Sequence, residues 1–200
     1  MARRRSDISG APWTWLRQVH GARVVTVTEP GEHAGTEADA IVTAVAGAPI
    51  AILTADCAPL LLTAPGAVGV VHAGWRGLMA GVVEAAIDAM VGLGHPPERV
   101  VLGPTIRARC YEFDAPDITP VMKRYGSAVR AETGWGTPAL DLVAGVRAAV
   151  ESRHLPLEDG GTCTACSPSH WSYRARSDSA RQALVAWISP AVTGPIPPNR

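Results

Sequence analysis

The sequence predicts a single α/β domain built on a mixed sheet. Short β-branched runs come first, separated by Gly, Pro and Asp, and helical periodicity begins after Gly77 and mixes in later. Neither an internal repeat nor a linker interrupts the order. At 200 residues and 47% hydrophobic content, the chain is long enough to bury one substantial core.

Taken in order, Arg23 to Val27, Ala40 to Val45, Ile50 to Thr54, Leu60 to Thr63 and Val68 to His72 read as closely spaced strands. The runs around Ile52 and Val70 are almost wholly apolar, as expected of strands covered on both faces. After Gly77, Leu78, Val82, Ala85, Ala86, Ala89 and Met90 keep a helical spacing that Gly92 and Gly94 end. Val100 to Leu102 reads as another buried strand, and a second helix includes Pro116 to Tyr125. A third helix runs from Asp141 through Val150, with Leu142, Val146 and Val150 on one face, and Ala183 to Ile188 is a last strand. The expected organisation is a flexible N-terminus over 1–12, a folded domain over 13–189 and a Pro-rich tail over 190–200.

Eighteen basic and eighteen acidic side chains give a formal net charge of zero, so no broad nucleic-acid surface is expected. The run Arg3-Arg4-Arg5 is too short and too terminal to alter that, and reads as a solvated start. No stretch has the length and apolarity of a membrane span, and no hydrophobic signal core follows the basic residues. The expectation is therefore a cytoplasmic protein, whose four cysteines are free thiols or metal ligands rather than disulfides.

Three residues carry the strongest chemical signal. Cys57 follows Asp56 at the end of an apolar run, His72 ends another such run fifteen positions later, and His20 closes Gln18-Val19-His20. One thiolate and two imidazoles suit zinc and leave a fourth position open. Each also has a plainer explanation: a small core cysteine, a hydrogen-bonded core histidine, and a turn residue before Gly21. Gly74, Gly77 and Arg76, in His72-Ala73-Gly74-Trp75-Arg76-Gly77, suit an anion such as phosphate through backbone N–H groups and a guanidinium. His170 precedes Trp171, Tyr173 and Arg174, a set able to stack on a flat base and hold a charge. His33, His95 and His154 sit in loop-like surroundings, and the lone Cys163-Thr164-Ala165-Cys166 pair lacks a partner pair, so Cys166 reads as incidental. No Gly-x-Ser-x-Gly elbow, Walker loop or dinucleotide fingerprint is present.

Together these runs resemble the YfiH-like, or laccase-domain, family, also called polyphenol oxidase or peptidoglycan editing factor proteins. The resemblance rests on Gln18-Val19-His20-Gly21, Ala38-Asp39-Ala40, Thr54-Ala55-Asp56-Cys57-Ala58-Pro59, His72 to Gly77, Gly103-Pro104 with Cys110-Tyr111-Glu112, Cys163-Thr164 and Ser172-Tyr173-Arg174. It implies a single-domain, four-layer α/β/β/α sandwich with mixed sheets, and a zinc held by the residues matching His20, Cys57 and His72. The chain departs from the family in lacking the usual further N-terminal segment with its Ser-Leu-Asn-Leu-like run. It departs again where Tyr173-Arg174-Ala175-Arg176 and Ser179-Ala180-Arg181 replace the usual Arg-Arg and Thr-Gly-Arg pattern.

The activity so implied is zinc-dependent phosphorolysis of purine nucleosides (adenosine, inosine, guanosine and methylthioadenosine), with adenosine deamination ranked second. Asp56 and Arg76 are the candidate catalytic residues, the first to move protons and the second to hold phosphate. Gly74, Gly77, Tyr173 and Arg174 are the candidate substrate contacts, and purine nucleosides and phosphate the expected partners, with the oligomeric state open. Copper-dependent phenol oxidation is an alternative, since a Cys-His-His site takes copper in vitro, but six histidines are few for several copper centres. The other alternative is a cysteine or zinc hydrolase acting on peptidoglycan precursors, with Cys57 as nucleophile.

Overall fold

The protein is described by a computed structural model over residues 8–190; Arg3-Arg4-Arg5 and the Pro-rich tail beyond Pro190 lie outside the described residues. The first half is almost all strand: β1 (Thr14–Arg17), β2 (Val24–Val27), β3 (Thr36–Glu37), β4 (Ala40–Thr43), β5 (Ile50–Thr54), β6 (Ala58–Ala64) and β7 (Ala67–Ala73). Helices α1 (Trp75–Ala80) and α2 (Val82–Gly92), strand β8 (Arg99–Leu102) and helix α3 (Ala115–Tyr125) follow. The chain then forms the hairpin of β9 (Arg130–Glu132) and β10 (Pro138–Leu140), helix α4 (Leu142–Glu151), β11 (Leu157–Asp159), the short helix α5 (Tyr173–Arg176) and β12 (Gln182–Ala186).

Two mixed sheets form, one of six strands in the order β11-β8-β6-β7-β4-β2 and one of four in the order β12-β5-β1-β3. The alternation of side chains along a strand sorts the core into two compartments. Leu60 and Leu62 of β6, Val71 of β7 and Val42 of β4 face Leu78, Val82, Met90, Ile118 and Val146 from the four longer helices. Their neighbours Leu61, Val70 and Ile41 face the other way, onto Leu16, Ile50 and Ile52 of the smaller sheet. Both faces of β7 are thus covered, which is why the run around Val70 is apolar throughout. Each fully buried Leu or Ile here contributes roughly 1.5–3 kcal/mol.

Two expectations need correction. The run around Ile52 is only partly covered on its second face: Ile50, Ile52 and the intervening Ala51 are buried, while Leu53 is exposed with Trp15 and Trp187. The helix expected over Leu78 to Met90 begins earlier, at Trp75, and breaks at Gly81, whose φ of 92° lies in the left-handed region. The Leu78 carbonyl at that break accepts the Tyr125 hydroxyl at 2.6 Å, so it is not left unpaired. The helix beginning at Asp141 does so because that carboxylate accepts the Ala144 N–H at 2.9 Å. Strands β1, β3, β9, β10 and β11 were not among the expected elements; all are four residues or fewer.

Candidate metal centre

Hairpin register brings the first two donors together. In the β6–β7 pair Pro59 lies opposite His72 and Ala58 opposite Ala73, so the next step out places Cys57 against Gly74. His20 arrives from the turn after β1, in the left-handed region at φ 59°. Its Nε2 lies 3.7 Å from the Cys57 Sγ, and the ligand atoms of His20, Cys57 and His72 all fall within 4.8 Å of one another. Gly74 is required by this approach: a Cβ there would stand 2.7 Å from His20 Cδ2 and 3.0 Å from Cys57 Sγ.

Asp39 braces both histidines. It is fully buried, with Oδ1 2.8 Å from His72 Nδ1 and accepting the His20 N–H at 2.9 Å. Oδ2 accepts the N–H groups of Gly21 at 2.7 Å and Val19 at 3.2 Å. One carboxylate therefore holds the His20 turn by its backbone and the His72 ring by its Nδ1, leaving His72 Nε2 to face Cys57. Burial opposes the Cys57 thiolate, but hydrogen bonds and charge from His20 and His72 outweigh it and bring the thiol down to about 6. Burial likewise opposes the His72 imidazolium, yet Asp39 and Cys57 raise that ring to about 9. Asp39 itself loses to burial but gains from His72 and the backbone N–H groups, and lies below the ordinary carboxylate range.

The donor set fits a tetrahedral zinc. Ordinary Zn–S and Zn–N bond lengths place a sulfur and a nitrogen ligand about 3.6 Å apart, against the 3.7 Å seen for Cys57 and His20. Three protein donors leave one position for water or substrate.

The trio lies in a cleft of about 550 Å³ whose other walls include Gln18, Tyr111, Tyr173 and three arginines, Arg76, Arg174 and Arg181. Each guanidinium lies over a ring: Arg76 on Trp75 at 4.5 Å, Arg174 on Tyr111 at 5.1 Å and Arg181 on Tyr173 at 5.8 Å. Among the described residues none of the three forms an ion pair. In a chain of zero net charge, the cleft is thus a local concentration of positive charge. A second depression, of about 730 Å³, shares Trp75, Arg76 and Arg174 with it and extends to Phe113 and Trp135.

Of the residues singled out in the sequence, His20, Cys57, His72, Asp56, Arg76, Gly74, Tyr173 and Arg174 all line this cleft. Gly77 does not: it is buried inside α1, where a Cβ would lie 3.1 Å from the Gly21 carbonyl, so its role is close packing. Asp56 does turn the chain, with φ 91°, but its Oδ1 accepts the Thr164 hydroxyl at 2.7 Å and its Oδ2 the Arg174 N–H at 2.6 Å. His170 bonds Ser167 through Nδ1 at 2.8 Å and lines a separate depression. Asp39, Tyr111 and Arg181 of the site were not assigned a role from sequence. Asp39 had a readable signal, a carboxylate between two alanines heading an apolar strand; Tyr111 had none beyond its place in the motif. Burial and the Cys57 charge push the Tyr111 hydroxyl up to about 12, despite Arg174, so it keeps its proton.

The sequence profile of the family described as "Multi-copper polyphenol oxidoreductase laccase" matches residues 1–189. The chain belongs to this family. Among its laccase-family relatives is a purine nucleoside phosphorylase of Streptomyces coelicolor, 42% identical over 94% of this chain and 80% of the relative. Another is a purine nucleoside phosphorylase of Mycobacterium tuberculosis, 35% identical over 87% of this chain and 71% of the relative. The crystal structure of YlmD from Geobacillus stearothermophilus matches with a TM-score of 0.82 at 27% identity, covering 94% of this chain and 78% of that one. The hypothetical protein YfiH of Bacillus licheniformis shares the fold at the same TM-score of 0.82, with 24% identity over 93% of this chain and 79% of that one. No helix among the described residues is long and apolar enough to cross a membrane.

Proposed function

We propose that this protein is a zinc-dependent purine nucleoside phosphorylase, with zinc on His20, Cys57 and His72. One observation carries the reading: the His-His-Cys donor set opens into the same cleft as three ring-stacked guanidinium groups that form no ion pair among the described residues. The identity to relatives named purine nucleoside phosphorylase supports it.

In phosphorolysis an oxygen of hydrogen phosphate bonds the sugar C1′ as the C1′–N9 bond breaks. The phosphate proton passes to the departing base. Bound zinc would supply a Lewis-acidic centre at the cleft floor. Arg76 and Arg174 hold the phosphate dianion beside the sugar, a positioning and electrostatic task. Tyr173, 63% exposed at the cleft mouth, offers a face for the purine, and the protonated Tyr111 hydroxyl offers it a hydrogen bond. The Gly74 backbone lets the donors close up. Asp56 is a positioning residue: through Thr164 and the Arg174 N–H it fixes the segment that brings Tyr173 and Arg174 into the cleft.

That placement of Asp56 also ranks deamination second, because moving protons at a purine carbon needs a carboxylate free of such structural donors. Copper oxidase chemistry fits the donors poorly, since His33, His95, His154 and His170 stand apart from the trio and from one another. The Cys57 thiol, lowered beside His72, keeps a cysteine nucleophile as a third reading, after deamination.

The test is product analysis from adenosine and inosine with and without phosphate. Release of free base that requires phosphate, falls with a zinc chelator, returns with zinc and is lost in Cys57→Ala supports the proposal. Base release without phosphate, inosine as the sole product from adenosine, or turnover indifferent to chelator overturns it.

A further inference from the structure

Among the described residues one other cluster of metal-capable side chains exists, and it is made of the remaining three cysteines. Cys163 and Cys166 come from the Cys-Thr-Ala-Cys run, and Cys110 from the short turn before Tyr111. Their sulfurs all lie within 4.8 Å of one another, with Cys110 and Cys166 3.1 Å apart. The reading of Cys166 as incidental, and of the run as a pair without a partner, is corrected by this geometry: the partner is Cys110, 56 residues away in the chain.

We infer that Cys110, Cys163 and Cys166 form a second site for a thiophilic divalent cation of the zinc class. Zn–S bonds of ordinary length set sulfur ligands about 3.8 Å apart, which a small opening of the exposed Cys166 side chain provides. Two features favour a cation over a simple disulfide. A disulfide joins two sulfurs and leaves the third without a role, whereas all three converge here. The Cys163 sulfur also faces backbone N–H groups of Arg107, Ala165 and Cys166, donors of the kind that surround a metal-bound sulfur. Arg109 lies beside the cluster and suits the net negative charge of a three-thiolate zinc.

Its place in the fold gives the site a structural purpose. Cys163 pairs with Thr105 as an isolated bridge, and the next residue, Thr164, donates to Asp56 beside the first site. Cys110 precedes Tyr111 of the cleft wall. A cation here would tie together two stretches that frame the cleft, both poor in regular structure.

The experiment is zinc content per chain, by elemental analysis of the full chain reconstituted with zinc chloride and desalted. Two zinc ions in wild type, one in Cys57→Ala and one in the double variant Cys110→Ser/Cys166→Ser are expected. Cobalt loaded into Cys57→Ala should show the strong sulfur-to-metal charge-transfer bands of several thiolates, a readout that holds even where the double variant fails to fold. A single zinc in wild type, none in Cys57→Ala, or a Cys110–Cys166 disulfide with no second zinc would overturn the inference.

Discussion

Replacing Asp39 with Asn tests the logic of the first site. The two side chains have the same shape, but Asn has one acceptor oxygen and one donor NH₂ where Asp39 presents four contacts, all to donors or to His72 Nδ1. With the amide oxygen in the Oδ1 place, the NH₂ confronts the N–H groups of Gly21 and Val19. With the amide reversed, it donates to His72 Nδ1 and drives the ring proton onto Nε2, the nitrogen facing Cys57. Hydrogen bonds to a charged group are worth about 1.5–3 kcal/mol each, so either arrangement disturbs the His20 turn or disables His72. Loss of such a carboxylate partner lowers metal affinity about 10–100-fold, equivalent to about 1.4–2.7 kcal/mol. The assay is competition for zinc between the protein and a chromophoric chelator, with circular dichroism to establish the fold. A folded variant that binds zinc within about twofold of wild type would refute the role given to Asp39.

Other perturbations probe the same site. Gly74→Ala should lose zinc with little change in the thermal melt, because its Cβ collides with His20 and Cys57 and not with the core; retained stoichiometry would contradict this. Arg76→Ala should raise the KM for phosphate at least about tenfold while zinc content holds, the cost of one charge-assisted hydrogen bond. Equal loss of zinc would make Arg76 structural. Asp56→Asn should raise the KM for phosphate more than it lowers kcat, with zinc retained, whereas a kcat loss alone would return Asp56 to proton transfer. Between pH 6 and 9 the Cys57–His72 pair carries one proton, on His72, that zinc must displace. Apparent zinc affinity should therefore rise about tenfold per pH unit over that window, more steeply below it, and level off above it. A flat profile by chelator competition would exclude His72 as a ligand.

Five strands of the six-stranded sheet, all but β11, and helices α2 to α4 were legible because their signals are local. Continuous apolar runs mark β6 and β7, the 3.6 period marks α2 and α4, and Asp141 marks a helix start within a single turn of chain. Three of the elements passed over, β1, β3 and β11, are short and carry polar residues, and they are strands because parallel neighbours distant in sequence satisfy their backbone groups. The partly exposed outer face of β5 was misread for a related reason, since an apolar run does not say how fully each of its faces is covered.

By itself the sequence determined the residue types of the site, the apolar strands that carry Cys57 and His72, and the glycine that lets them approach. Only the tertiary structure decided that Asp39 braces both histidines, that Asp56 is tied to Arg174 across 118 residues, and that Cys166 meets Cys110. The reason is physical. A ligand's identity is a property of one residue, but its orientation, its protonation and its partners depend on distances that exist only once the two sheets have packed.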